Sequence, residues 1–333
     1  MIQKSDRSHF LMINGRLKRE DNNLRFFKYD ENNNVVDSKP IAIKGIDEIY
    51  LLAKIDLDSY TIAFIADNNI LLHIFSSFQS FRGNFFPNTS NSVNKSGFAL
   101  LKQLRAFDDE VHRLYIAKQI TKGHFLNGSN NCKKYKVEFE VDKYLANLDK
   151  ANTINEIMAS EGAFNKNYFK AWNSIIKNQR SFKFIKRSRR PPTDKINCLI
   201  SYVNTRIYNI CLSEIYKTEL DPRIGFIHEP NYKAISLHLD IAEIFKPIIG
   251  DNIIFTLLNK NEITAKDFKT DNGRIRFTNE AIKKIEMKII KKMTEQITIG
   301  EQRLTWRQVI RREVNRIKKC IVETNEYEPF IYQ

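Results

Sequence analysis

The sequence predicts an α+β protein in which a small N-terminal β domain precedes a larger, all-α-helical domain. Residues 1–85 contain short apolar and β-branched runs separated by polar turns, a pattern typical of strands. Residues 86–96 are polar and turn-forming, with Pro87 near the start, which indicates a linker. From residue 97 to residue 333 apolar residues recur at helical spacing. This length is sufficient for two domains with separate cores.

The strands of the β domain are predicted from apolar runs and the turn residues between them. Residues 8–13 form the first run, and Asn14-Gly15 then supplies a strong two-residue hairpin signal. A short helix capped by Asp58 or Ser59 is expected before the last strand. The remaining strands are predicted over residues 24–29, 41–43, 48–53 and 70–75.

The second domain is predicted to be helical from its hydrophobic period. Leu101, Leu104, Val111, Leu114 and Ile120 lie at three- and four-residue spacings or multiples of them, with charges between. Comparable patterns recur over residues 141–178, 193–219, 235–249 and 276–321.

The net charge of +15 lies in the second domain. Residues 1–85 hold eleven basic and eleven acidic groups, whereas residues 86–333 hold 43 basic and 28 acidic groups. A neutral first domain followed by a strongly basic second one predicts that the second binds a polyanion, most plausibly nucleic acid. A generally lysine-rich composition is the alternative, but it does not explain why the excess lies in one domain.

Composition also argues against several classes of protein. There is no run of eighteen apolar residues, so no membrane-spanning helix is expected. The start, Met-Ile-Gln-Lys-Ser-Asp, has no apolar segment typical of a signal peptide, and a cytoplasmic location is expected. The four cysteines are scattered without Cys-x-x-Cys spacing, which favours ordinary buried thiols over zinc or disulfides.

Four residues are candidates for chemistry. His228 follows Asp221-Pro222 and Gly225, which break any helix, so it is expected on a loop or helix edge. Asp240 and Glu243 are three residues apart and would share one helical face. Glu161 stands in an apolar, small-residue stretch. Each alone could be an ordinary structural residue. Together they would form an oxygen-rich site suited to Mn²⁺ or Mg²⁺, which can activate a phosphodiester.

Between these candidates lies a basic segment, residues 177–190. It holds seven Lys or Arg and no acid, with Phe182 and Phe184 alternating with the charges. A run of this kind is often only a solvated face, but four arginines close in sequence to a metal site favour contact with phosphates. The residues expected to bind DNA are Lys186, Arg187, Arg189 and Arg190.

Four ordered motifs together resemble the CRISPR-associated adaptation endonuclease and integrase family (Cas-one). They are Glu-Gly followed by Tyr-Phe, a Phe-x-Phe segment leading to Arg-Pro-Pro-x-Asp-x-x-Asn, Leu-Asp-Pro-x-x-Gly-Phe-x-His, and Leu-Asp-x-x-Glu-x-Phe-Lys-Pro. The segments are residues 161–169, 182–197, 220–228 and 239–247, and residues 14–19 and 46–50 resemble the family's β domain.

The resemblance implies an activity and a set of partners. Members of this family dimerise mainly through their β domains, assemble with a small Cas-two partner into a heterohexamer, and insert short DNA fragments into a CRISPR array. A 3′-hydroxyl attacks a phosphodiester, and double-stranded or branched DNA is also cut with Mn²⁺ or Mg²⁺. On this basis residues 1–85 would be the dimerisation domain and 97–333 the catalytic and DNA-binding domain.

The resemblance also assigns roles to residues. The family's metal ligands map onto Glu161, His228 and Glu243, with Asp240 nearby, and Lys246 is placed to meet a phosphate. Many members have Asp where this chain has Glu243, which leaves open whether Glu243 binds the ion directly. Asn165 and Tyr168 also fall within the first motif.

Two rival functions remain at this stage. The chain could be a metal-dependent nuclease of the same fold that acts in DNA repair or transposition. It could also be a DNA-binding scaffold without catalytic activity, although the intact set of Glu161, His228 and Glu243 argues against this.

Overall fold

The computed structural model describes residues 7–76, 81–87, 97–189, 191–230, 235–271, 274–323 and 325–332. The chain divides into two units, Met1–Val93 and Asn94–Gln333. The boundary falls inside the segment 86–96 that the sequence predicts as a linker, of which residues 88–96 lie outside the described residues. Among the described residues, no helix is long and apolar enough to cross a membrane.

The N-terminal unit is built from short strands and one helix within its described residues. Their order is β1 (Arg7–Leu11), β2 (Gly15–Glu20), β3 (Asn23–Tyr29), β4 (Val35–Ile41), β5 (Ile46–Leu51), β6 (Ile55–Asp56), α1 (Ser59–Asp67), β7 (Leu71–Phe75) and β8 (Phe81–Phe85). One described sheet has the order β1-β5-β7-β8, and a second has the order β4-β3-β2-β6. The β character of this unit is therefore confirmed. Asp58 caps α1 by accepting from Thr61 N–H, as expected.

The hairpin predicted at Asn14-Gly15 is wrong. β1 pairs with β5 in one sheet, whereas β2 pairs with β3 and β6 in the other, so Asn14-Gly15 carries the chain between sheets. Gly15 is required by close approach, because a Cβ there would lie 2.1 Å from the Phe27 carbonyl oxygen. The hairpin turn is instead at Asp21, where φ is 52°. Tertiary pairing thus overrides the local turn signal.

The C-terminal unit is mostly helical, as predicted. Its described helices are α2 (Gly97–Asp108), α3 (Glu110–Lys134), α4 (Asp142–Lys150), α5 (Ile154–Ile175), α6 (Gln179–Phe182), α7 (Lys195–Ile215), α8 (Leu237–Phe245), α9 (Asn252–Asn259), α10 (Asn279–Thr294) and α11 (Trp306–Glu323). A π-helical turn, Lys246–Asp251, joins α8 to α9, and a 3₁₀ turn spans Ala265–Asp267.

This unit is not purely helical, which corrects the sequence prediction. Two antiparallel hairpins lie among its described residues, β9 (Phe268–Asp271) with β10 (Arg274–Phe277), and β11 (Gln296–Ile299) with β12 (Gln302–Thr305). The second hairpin interrupts the helical pattern predicted over residues 276–321. Its turn contains Gly300 at φ 60°, a conformation that glycine adopts without strain.

The π turn follows from Pro247, which has no N–H to donate to a carbonyl of the preceding helical turn. Side chains from one face of α3 contact carbonyls that a regular helix would use internally. His124 Nδ1, Asn127 Nδ2 and Asn131 Nδ2 lie 2.9, 3.0 and 2.6 Å from the carbonyl oxygens of Glu243, Ile244 and Pro247 respectively. Helix α3 thereby fixes the end of α8, where two of the candidate site residues lie.

Asp251, at the end of the π turn, should give stability a measurable pH dependence. Burial raises its pKa to about 8, although the Tyr168 hydroxyl donates to it at 2.8 Å. Between the ordinary Asp pKa near 4 and about 8, only the folded state holds the proton. We therefore expect this carboxyl to favour folding fully below pH ~4 and to lose that contribution by about 1.4 kcal/mol per pH unit up to pH ~8.

Asp251→Asn tests this expectation, because the amide can accept from Tyr168 but has no proton to lose. Urea unfolding of both proteins from pH 4 to 8.5 should show a shallower decline in the variant. Parallel curves would exclude Asp251 as the source of the slope.

Candidate metal and nucleic-acid site

Three elements of the C-terminal unit bring the candidate acids and His228 together. Glu161 lies on α5, Asp240 and Glu243 lie on α8, and His228 lies on the loop before α8. The charges of Glu161 and Glu243 both act on His228, so the predicted residues are neighbours in the fold.

Asp240 anchors the loop that carries His228. It is fully buried, and its Oδ2 accepts the backbone N–H groups of Phe226 and Ile227 at 2.6 and 3.0 Å. Its Oδ1 accepts the backbone N–H of His228 at 3.1 Å and lies 2.7 Å from His228 Nδ1. Gly225 permits this packing, since a Cβ there would lie 2.8 Å from Oδ2. Both oxygens of Asp240 are thus occupied, and Nε2 is the nitrogen of His228 left for a ligand.

Asp240 also changes the electrostatics of His228. Burial alone would lower the pKa of His228, but the bond to Asp240 and the charges of Asp240, Glu243 and Glu161 raise it overall. The imidazole is therefore held in one orientation by a charged partner, an arrangement typical of histidines that bind metals.

Glu243 lies between the ammonium of Lys246 and the imidazole of His124. Its Oε1 forms an ion pair with Lys246, and its Oε2 lies 3.8 Å from His124 Nδ1. Burial acts to raise the pKa of Glu243, but Lys246 and His124 lower it overall. Lys246 Nζ also lies 4.8 Å from the centre of the Tyr208 ring. The residue that the resemblance assigns to phosphate contact is thus paired with an acid in this structure.

Glu161 is the second carboxylate of the pair. Its Oε1 accepts from Asn165 Nδ2 at 3.0 Å. Burial and then the charge of Glu243 raise its pKa, as expected when two acids crowd one site. This repulsion is what a divalent cation would relieve.

The donor set fits a hard divalent cation in its chemistry. It comprises two carboxylates that repel each other and an imidazole whose Nδ1 is already fixed by Asp240. Within the parts of the chain that the structure describes, no three His, Cys, Asp or Glu side chains are assembled closely enough to hold an ion. In this structure the Glu243 carboxylate pairs with Lys246, and the Glu161 carboxylate accepts from Asn165.

The basic segment divides into exposed and anchored residues. Lys186 and Arg189 are exposed. Arg187 is partly buried and donates to Asn197 Oδ1 at 2.9 Å and Ser201 Oγ at 3.0 Å, and burial followed by the charge of Arg189 lowers its pKa to about 10. Arg190 lies outside the described residues. Arg187 therefore fastens the segment to α7 in this structure.

The segment adjoins the acids through Tyr208. This α7 residue interacts electrostatically with Arg187, and its ring contacts Lys246, the partner of Glu243. Phe182 and Phe184 are buried, so they pack the segment and do not offer faces for stacking on bases. Arg187 of the basic segment is thus linked to Lys246 through one α7 residue.

His124 has a position at the site that the sequence does not reveal. It contacts the Glu243 carbonyl through Nδ1 and Asn165 Oδ1 through Nε2, both at 2.9 Å. It is one of two histidines in α3, with His112, and no local motif distinguishes it from an ordinary core residue. Its contact with Glu243 joins residues 119 positions apart, so only the fold reveals it.

Comparison with known proteins identifies the family. The family model for CRISPR associated protein Cas1 matches residues 10–291. A CRISPR-associated endonuclease Cas1 from Fusobacterium nucleatum is 32% identical over 334 residues, covering 97% of this chain and 96% of that protein. The chain belongs to the Cas1 family. The resemblance to the CRISPR adaptation family (Cas-one) is therefore confirmed.

Solved structures agree with this assignment. A CAS1 protein from Thermotoga maritima has a TM-score of 0.84 and 29% identity, covering 98% of this chain and 100% of that one. Two structures with lower identity share the fold. A casposase bound to integration product has a TM-score of 0.84 at 20% identity, covering 98% and 94% of the two chains. A Cas6-RT-Cas1–Cas2 complex has a TM-score of 0.79 at 16% identity, covering 100% of this chain and 36% of that one.

Proposed function

We propose that this Cas1 protein is a divalent-metal-dependent DNA endonuclease and integrase that inserts short foreign DNA fragments into a CRISPR array. The observation that carries the proposal is the pairing of two mutually repelling carboxylates, Glu161 and Glu243, beside a histidine fixed by a buried aspartate. Mn²⁺ or Mg²⁺, when bound, would supply Lewis acidity to a phosphodiester and to the attacking oxygen.

Each side chain has a defined task in this proposal. Glu161, Glu243 and Nε2 of His228 would hold the cation, and Asp240 would orient His228 without binding the ion. Lys246 balances the charge of Glu243 in this structure. With Glu243 engaged by a cation, the Lys246 ammonium would be available to a DNA phosphate beside the reacting bond.

The proposed partners follow from charge and from the neighbouring structures. Double-stranded and branched DNA would bind the basic C-terminal unit. A second copy would bind through the neutral N-terminal unit, and a small Cas2-like protein would complete a heterohexamer. The casposase bound to integration product and the Cas6-RT-Cas1–Cas2 complex share this fold, which supports strand transfer and a Cas2-like partner.

The exposed part of the basic segment should contribute to DNA affinity. Each phosphate contact adds roughly 0.9 to the slope of log affinity against log salt. We therefore expect Lys186→Ala combined with Arg189→Ala to flatten that slope by about two and to weaken binding about tenfold or more at moderate salt. Fluorescence anisotropy of a labelled duplex across a salt series measures both quantities.

The control removes two exposed lysines from the neutral unit, Lys39→Ala with Lys44→Ala, for the same change in net charge. Equal losses in the two double variants would mean that net charge alone, not local phosphate contact, governs binding. Arg187→Ala is a poor substitute, because Arg187 bonds to α7 and its loss would disturb the fold.

A strand-transfer assay tests the proposed function. The full chain is incubated with Mn²⁺, a supercoiled plasmid that carries the repeat array, and a short duplex with free 3′-hydroxyls, with and without the Cas2-like partner. Covalent joining of duplex to plasmid at a repeat boundary is the expected product. Joining without preference for the repeat would favour a transposition role, and cleavage without joining would favour a nuclease of DNA repair. DNA binding without either reaction would favour the scaffold.

A further inference from the structure

We propose that His124 and Asn165 are positioning residues that hold the Glu161 carboxylate in a fixed position relative to the α8 backbone that carries Glu243, so that both acids can bind one shared cation. This inference rests on the proposed metal-dependent function and names residues for which the sequence motifs assign no role.

The two residues form a bridge across three helices. His124 of α3 contacts the Glu243 carbonyl oxygen of α8 through Nδ1 at 2.9 Å. Its Nε2 lies 2.9 Å from Asn165 Oδ1 on α5. Asn165 Nδ2 then donates to Glu161 Oε1 at 3.0 Å. The carboxylate on α5 is thereby oriented relative to the backbone that carries the carboxylate on α8.

The first contact depends on the π turn. Pro247 leaves the helix without one amide donor, so carbonyls at this point of α8 are open to side chains from α3. A histidine is well suited to use this opening, because its ring is planar and rigid and has nitrogens on two edges. His124 is only 3% exposed, and its ring packs edge-on against Phe164 at 5.2 Å between centroids. It therefore acts as a spacer of fixed length between α8 and Asn165.

The second half of the bridge sets the direction of the Glu161 carboxylate. An ionised carboxylate only accepts hydrogen bonds, so the Asn165 side chain must present its NH₂ group to Glu161. Its oxygen then faces Nε2 of His124, so both ring nitrogens of His124 face acceptor oxygens and both must carry a proton and donate. Without this bond the Glu161 side chain, which is only partly buried, would be free to rotate away from Glu243 under the repulsion between the two acids. Partners of this kind commonly change metal affinity by about 10–100-fold.

The test compares Mn²⁺ binding in full-length variants by titration calorimetry in the absence of DNA. Asn165→Ala and His124→Phe should each weaken Mn²⁺ binding about 10–100-fold. The control is Asn167→Ala on the same helix, which loses a bond to the Tyr144 hydroxyl at 2.7 Å but touches neither acid. It should bind Mn²⁺ as the unmodified protein does. In the strand-transfer assay, Asn165→Ala should need more Mn²⁺ for half-maximal rate and should recover most of its rate at saturation.

A further variant separates the inference from the proposed function. Glu161→Ala should lose Mn²⁺ binding, and normal binding there would overturn the metal site itself. If Glu161→Ala loses Mn²⁺ binding but Asn165→Ala binds Mn²⁺ with unchanged affinity, only the positioning role is overturned. If His124→Phe fails to fold, as judged by its thermal unfolding curve, Asn165→Ala and its Asn167→Ala control still decide the question.

Discussion

Replacement of Glu161, His228 or Glu243 by alanine should each abolish Mn²⁺-supported cleavage and strand transfer while leaving DNA affinity within about twofold. Loss of one ligand removes several kcal/mol of stabilisation from the charge that develops on the phosphodiester, which corresponds to about a thousandfold or more in rate. DNA affinity should persist, because it derives from basic groups elsewhere in the unit. The strand-transfer assay and duplex anisotropy, run side by side on all three variants, measure the two effects.

Glu229→Ala is the matched control for these substitutions. Glu229 adjoins His228 in sequence, but its carboxylate pairs with Arg113 at 3.3 Å and is mostly exposed. We expect near-normal rates from this variant. Undiminished strand transfer in Glu161→Ala or His228→Ala would defeat the proposed mechanism, whatever the family relationship. Glu161→Ala should not greatly reduce stability, because it removes one of two acids that repel each other. Glu243→Ala should reduce it, because the largely buried Lys246 loses its ion-pair partner.

Asp240→Ala should behave differently and unfold much more easily. The backbone N–H groups of residues 226, 227 and 228 lose the carboxylate that accepts from them, and His228 loses the partner of its Nδ1. An unsatisfied buried donor costs roughly 1–3 kcal/mol, so a loss of about 3–6 kcal/mol in the free energy of unfolding is expected. Asp240→Asn keeps one oxygen acceptor, so its free energy of unfolding should lie between those of the unmodified protein and Asp240→Ala.

Urea unfolding of Asp240→Ala, Asp240→Asn and Glu161→Ala distinguishes an anchoring role from a ligand role. An anchoring residue lowers the urea midpoint and abolishes strand transfer together, whereas a ligand abolishes strand transfer at a nearly unchanged midpoint. A wild-type midpoint for Asp240→Ala would contradict the anchoring role.

The sequence predicts which residues are candidates for the site, but it does not predict the hydrogen bonds and ion pairs between them. The acids are candidates because of the motif around Glu161 and the three-residue spacing of Asp240 and Glu243. The local sequence pattern does not reveal that both carboxylate oxygens of Asp240 accept hydrogen bonds from the loop of His228. Those contacts join residues more than ten positions apart. The same limit applies to the basic segment, where Arg187 looks like its neighbours in sequence but is bonded to α7 in the fold.

The errors in the fold prediction have the same physical origin. Asn14-Gly15 has ideal hairpin chemistry, yet Gly15 is there because β3 approaches its backbone too closely for any side chain. The strand Val35–Ile41 was predicted only at its end, because it is polar and contains Pro40. Such a strand is tolerated at a sheet edge, and β4 is an edge strand. Helical period and turn signals report local preference, whereas these positions are set by pairing partners.

The π turn has a consequence for how the length of this protein can vary over evolution. A π turn holds one residue more than an α turn, so deletion of Pro247, which would bring the N–H of the next residue into its place, would let α8 and α9 join as one regular helix with their buried faces preserved. The packed core would accept that shortening. Backbone amides would then compete with α3 for the carbonyls near Glu243, and His124 would lose its hold on α8. Homologues one residue shorter at this position are therefore expected to fold well and to need a different residue at position 124.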